Sequence, residues 1–133
     1  MNEKATIHSG TRVKLKHVDE SALPPGFLAR LREMAHNDER LEAIFLCAVE
    51  AEDRAEQLSL VIAVRSGLLG KAEGTFLEVV EELRLILPPG LGFNLYRFGA
   101  SPLLARYCVE SLEPVHLHSA AWLEKERKRL AKT

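Results

Sequence analysis

Two apolar runs constrain this chain more than anything else in it. Leu41–Ala51 (LEAIFLCAVEA) and Leu58–Ser66 (LSLVIAVRS) are separated by the polar segment Glu52–Gln57. In the first run Leu41, Ala43, Phe45, Cys47 and Val49 alternate with Ile44, Leu46 and Ala48, so both faces of the strand are apolar. In the second, Leu58, Leu60, Ile62 and Val64 share one face, opposite Ser59, Val61, Ala63 and Arg65. Such runs across a short charged loop predict an antiparallel hairpin. A strand that is apolar on both sides needs dry neighbours on both, and the flanking segments have to supply them.

They are of the right kind. Met1–Gly10 carries no periodic pattern and is expected to be a flexible lead-in, leaving residues 11–133 as one domain. Thr11–Val18 alternates, with Val13, Leu15 and His17 opposite the basic Arg12, Lys14 and Lys16. Pro24-Pro25-Gly26 suits a helix start, and Phe27, Leu28, Leu31, Met34 and Ala35 follow at helical spacing as far as Asn37-Asp38. After Gly67–Gly74, the residues Phe76, Val79, Val80, Leu83, Ile86 and Leu87 predict a core-facing helix that ends at Pro88-Pro89-Gly90. Leu91–Phe98 reads as a strand, and Ser101-Pro102 as the cap of a short helix through Leu104, Tyr107 and Cys108. Residues 119–133 form a charged tail helix, apolar only at Trp122, Leu123 and Leu130, expected to fray after Lys125.

The order is β-α-β-β-α-β with C-terminal helices, which predicts the α+β class. Helices should lie mainly on one face of an antiparallel or mixed sheet, and a ferredoxin-like sandwich is the simplest closure. With 133 residues, 47% of them hydrophobic and 28% charged, the chain can bury one core. A formal net charge of −1 argues against a general nucleic-acid binder. No apolar run reaches membrane-spanning length and no signal peptide precedes the first strand, so the expected location is the cytoplasm, with no membrane contact.

The segments Gly10-Thr11-Arg12-Val13, Pro24–Asn37 and Glu42-Ala43-Ile44-Phe45-Leu46 together resemble the C-terminal domain of the SseB (enhanced serine sensitivity) protein family. That domain has a G-T-R-V-like strand, a helix and an A-Y-L-like strand. Phe93-Asn94-Leu95-Tyr96 stands where its later V-D-F-V-like strand falls, and Glu113-Pro114-Val115-His116 at its terminal P-F-Y, over roughly residues 9–117. Val115-His116 replaces the aromatic pair, and a charged helix is appended. The resemblance implies no catalytic activity, cofactor or catalytic residue.

Candidate chemistry is sparse. His116-x-His118 has the spacing of two metal ligands on one strand face, but two further ligands would have to arrive through the fold, so no metal is expected. Cys47 and Cys108 each sit inside an apolar pattern and read as small core residues of a reducing compartment. Gly67-Leu68-Leu69-Gly70-Lys71 lacks the Ser or Thr of a phosphate loop, since Ala72 follows the lysine. Leu58–Ser66 has no aromatic on which an RNA base could stack. The expected function is thus a non-enzymatic regulatory module without a cofactor, binding a protein partner or its own copy through Trp122, Leu123, Tyr96 and Phe98. The alternative is a small-ligand sensor, for amino acids, with a cleft near Gly67–Gly74.

Overall fold

The computed structural model of the chain describes residues 3–8, 11–51, 56–65, 72–88 and 92–132. Its strands are β1 (Glu3–His8), β2 (Thr11–Lys16), β3 (Leu41–Ala51), β4 (Gln57–Val64), β5 (Phe93–Arg97) and β6 (His116–Leu117). The helices are α1 (Phe27–His36), between β2 and β3, and α2 (Ala72–Arg84), between β4 and β5. Flanking β6 are α3 (Pro102–Ser111) and α4 (Ala120–Ala131). The fold is α+β.

The predicted hairpin is the middle of a mixed sheet with the order β1-β2-β3-β4-β5, in which β6 also pairs with β3. Neighbours are antiparallel except β4 and β5, which α2 connects in parallel. A ferredoxin-like order would bring the last long strand beside β2. That place is taken, because residues 3–8 are not a lead-in but pair with β2 as a strand. Nothing in the polar sequence of β1 marks it; its backbone hydrogen bonds to β2 place it there. β5 accordingly joins the outer edge of β4.

Both faces of β3 are covered, each by a different pair of helices. On one face Ile44, Leu46, Leu60 and Ile62 meet Phe27, Leu31 and Ala35 of α1 and Val79, Val80 and Leu83 of α2. On the other, Phe45, Cys47, Val49 and Val61 meet Leu104, Tyr107 and Cys108 of α3 and Leu123 and Leu130 of α4. The helices within the strand order thus share a face, as expected, and the C-terminal ones dress the opposite face.

Leu41 departs from the alternation. It packs with Ile44 rather than with Ala43. The register explains this: Leu41 pairs with Val64 and Ala43 with the next residue, Ala63, so Glu42 is the extra residue of a β-bulge.

The helix ends follow local chemistry. Gly26 ahead of α1 has φ +79°, a left-handed conformation that glycine adopts at low cost. The Ser101 hydroxyl caps α3 by accepting from the Leu104 amide at 3.3 Å, with Pro102 in the first turn. α2 begins at Ala72, ahead of the first apolar position of its pattern, Phe76. α4 does not fray after Lys125: it runs to Ala131 because Leu130, 1% exposed, sits in the core.

Candidate functional site

Along one edge β3 is paired continuously with β4 from Ala43 to Val49. Its other edge is shared. β2 pairs with residues 48–51 and β6 with residues 43 and 44, which leaves Phe45–Cys47 without a partner strand on that side among the described residues. There the carbonyls of Glu42 and Ile44 accept hydrogen bonds from the His118 amide at 2.8 Å and the Val115 amide at 2.7 Å. Strand alternation turns the Leu46 peptide groups the same way, into the interval between β2 and β6.

A cavity of about 330 Å³ lies at this interval. His17 and Val18 after β2, Leu28 and Arg32 of α1, Leu46, the α3–β6 connector Leu112–Val115 and Arg127 of α4 line it, with Glu20, Glu110 and Ser111. This is the small end of the range for ligand pockets. Its charges have both signs: two guanidinium groups and the carboxylates of Glu20, Glu110 and Glu113.

The two arginines are held in the same manner. On α1, Phe27, Leu31 and Ala35 face the core, and Arg32 follows one residue round from Leu31. Its Nε donates to the Val115 carbonyl at 3.2 Å and its Nη2 lies 3.5 Å from Glu20. On α4, Arg127 falls four residues after Leu123 and three before Leu130, on the helix face that meets the domain. Its Nε donates to the Val109 carbonyl at 2.8 Å and its Nη1 to Glu124 at 2.8 Å. α1 thus ties down the far end of the connector, and α4 the last turns of α3 that lead into it. Each guanidinium keeps donors beyond these bonds, since the fork carries five N–H groups.

The residues singled out by sequence lie elsewhere. Phe98 and Leu123 are buried and Tyr96 and Trp122 half-buried, all four in the core under α3 and α4. The Trp122 ring packs on Phe98 at 5.2 Å, and Phe98 stacks on Phe45 at 6.0 Å. His116 lies in β6 with its Nε2 buried and without a partner among the described residues, while His118, just beyond the strand, is exposed. Burial pushes the His116 imidazole below its usual range, the charges of His118 and His36 add to this, and Asp38 opposes it. Among the described residues no group of three or more His, Cys, Asp or Glu side chains could hold a metal ion.

Cys47 and Cys108 are both fully buried. Burial pushes the Cys47 thiol up to about 12 and the Cys108 thiol well above its ordinary value, so neither supplies a thiolate at neutral pH. Of the expected cleft near Gly67–Gly74, residues 67–71 lie outside the described residues. No described helix is long and apolar enough to cross a membrane.

The cavity residues escaped sequence reading because they come from the segment after β2, α1, β3, α3, the connector and α4. Arg127 carried the one local signal, a cation on the apolar face of an amphipathic helix.

The chain is thus a mixed sheet dressed by helices on both faces, with a small polar cavity where one strand edge is left without a partner among the described residues. Residues 7–117 match the SseB protein C-terminal domain family, and the chain belongs to that family. No curated protein and no solved structure matches it. α4 lies beyond the matched stretch.

Proposed function

We propose that this domain is a non-enzymatic, cytoplasmic regulatory module that binds a small zwitterion of the amino-acid class in the cavity between β2 and β6. The observation that carries this reading is the mixed-charge lining around an open strand edge. A plain anion would meet three carboxylates there, and a plain cation two guanidinium groups. A molecule with a carboxylate and an ammonium on one carbon places each against its opposite, and the Leu46 peptide edge offers a donor and an acceptor beside them. Two buried, unreactive thiols support the absence of nucleophilic chemistry and suit a reducing compartment. A protein partner has less behind it, since the apolar side chains expected to receive one pack inside the domain.

Thermal denaturation with the standard amino acids tests the reading, with acetate and methylammonium as single-charge controls. A ligand bound only by the folded form raises the melting temperature, by several degrees once its concentration far exceeds Kd. At least one amino acid should do so and neither control should. Arg32→Gln should remove the shift. If no amino acid moves the transition at millimolar concentration, the reading fails.

A further inference from the structure

The stretch shared with the family ends before α4, yet α4 supplies one wall of the cavity and one of its two cations. We propose that α4 is part of the binding site, that Arg127 contacts the ligand carboxylate opposite Arg32, and that an occupied cavity fastens α4 to the domain. This rests on the ligand reading above.

The geometry is that of a prepared contact. A free arginine loses much side-chain freedom when it grips a ligand. Arg127 has already lost it: Nε is bonded to the Val109 carbonyl, on the last turns of α3, and Nη1 to Glu124. The guanidinium therefore reaches the cavity in one orientation, with the remaining N–H groups of Nη2 available. Arg32 is fixed in the same way to Val115, at the far end of the connector. Because α1 and α4 cover opposite faces of the sheet, a carboxylate bonded to both arginines joins the two faces through the interval between β2 and β6.

The mechanical consequence follows from how lightly α4 is held. Leu123 and Leu130 are its buried apolar contacts, with Trp122 half-buried on Phe98. A helix with so narrow a footing opens locally more easily than the strands beneath it. A ligand that contacts Arg127 only when α4 is docked must oppose that opening. Occupancy would then be reported at a surface helix, where a regulatory domain can be read by what surrounds it.

The test uses the full chain, with the amino acid giving the largest thermal shift as probe and its carboxamide derivative as control. Arg127→Gln should weaken binding of the amino acid by about tenfold or more, the scale of one lost charge-assisted hydrogen bond, and change binding of the carboxamide much less. A residue that only props up the fold would affect both alike. Arg127→Lys, which keeps the charge but not the fork, should fall between the two and serves if the glutamine variant does not fold. The probe should also slow amide exchange in α4 and alter the emission of Trp122, the single tryptophan of the sequence, in the unaltered protein. Equal loss for acid and carboxamide, or no protection of α4 on binding, overturns the proposal while leaving the ligand reading intact. Failure of every amino acid to bind the unaltered protein overturns both.

Discussion

The two edges of β3 are built from one strand and behave as opposites. Toward β4 the pairing is continuous and the side chains above and below it are among the most buried in the chain. Toward β2 and β6 the pairing is shared between a longer strand and a two-residue one, and the interval holds a polar cavity. A continuous edge fixes the fold; an interrupted one leaves main-chain groups and space that a ligand can use. The hairpin and the cavity are thus separable, one a matter of global stability and the other of local chemistry.

Substitution can break that contrast. Phe45→Ala should have the largest effect, because Phe45 lies on the closed seam, fully buried and stacked on Phe98. A loss of about 3–5 kcal/mol is expected for truncating such a residue, seen as a lower urea midpoint. Leu130→Ala comes next, at about 2–4 kcal/mol, because its side chain is in the core although it stands near the chain end. A loss below about 0.5 kcal/mol would mean that the last turns of α4 do not dock in solution.

Asp38→Asn probes the turn that leads into β3. Asp38 accepts from Arg40 through both its oxygens, at 2.8 and 2.7 Å, and Arg40 also pairs with Glu82 of α2. Those hydrogen bonds hold the Asp38 carboxyl below the usual carboxylate range. With the folded value depressed, its contribution is complete above the unfolded pKa and is lost as pH falls through the folded one. The variant should lose about 1–2 kcal/mol at neutral pH, discounted for the partly exposed arginine, and show a flatter decline in acid. The smallest effect belongs to His116. Its imidazole lies below the ordinary 6.5, so stability falls as pH drops from there toward the folded value and levels off beneath it. In His116→Gln, urea midpoints at mildly acidic and neutral pH should lie closer together than in the unaltered protein.

Much of the closed seam was legible in the sequence, because alternation over Leu41–Val49 and Leu58–Val64 reports which side chains are dry. The long helices were legible for the same reason, since periodic apolar residues at three-and-four spacing need a face to pack on. What escaped had no periodic signature. β1 is held by backbone pairing that polar residues make as well as any others. The bulge at Glu42 shifts register by one residue, which no alternation count can place. The cavity is a juxtaposition of His17, Arg32, Leu46 and Arg127, far apart in the chain and joined only by the fold. Tyr96, Phe98, Leu123 and Trp122, expected at a partner surface, pack together in one core instead, because the apolar spacing that marks a docking face marks a buried one equally well.

Glu42 carries a practical consequence for anyone who moves parts of this domain. As the extra residue of its strand, it separates two stretches whose inward and outward positions run out of step. A chimaera spliced upstream of it inherits the compensation, and one that omits Glu42 still sets Leu41 opposite Val64; a graft onto a partner strand that pairs Glu42 regularly would turn Leu41, and with it the turn that holds Asp38 and Arg40, toward the wrong helices. Grafts of the central hairpin should therefore begin before Leu41 and carry Leu41 and Val64 together, so that their pairing is kept.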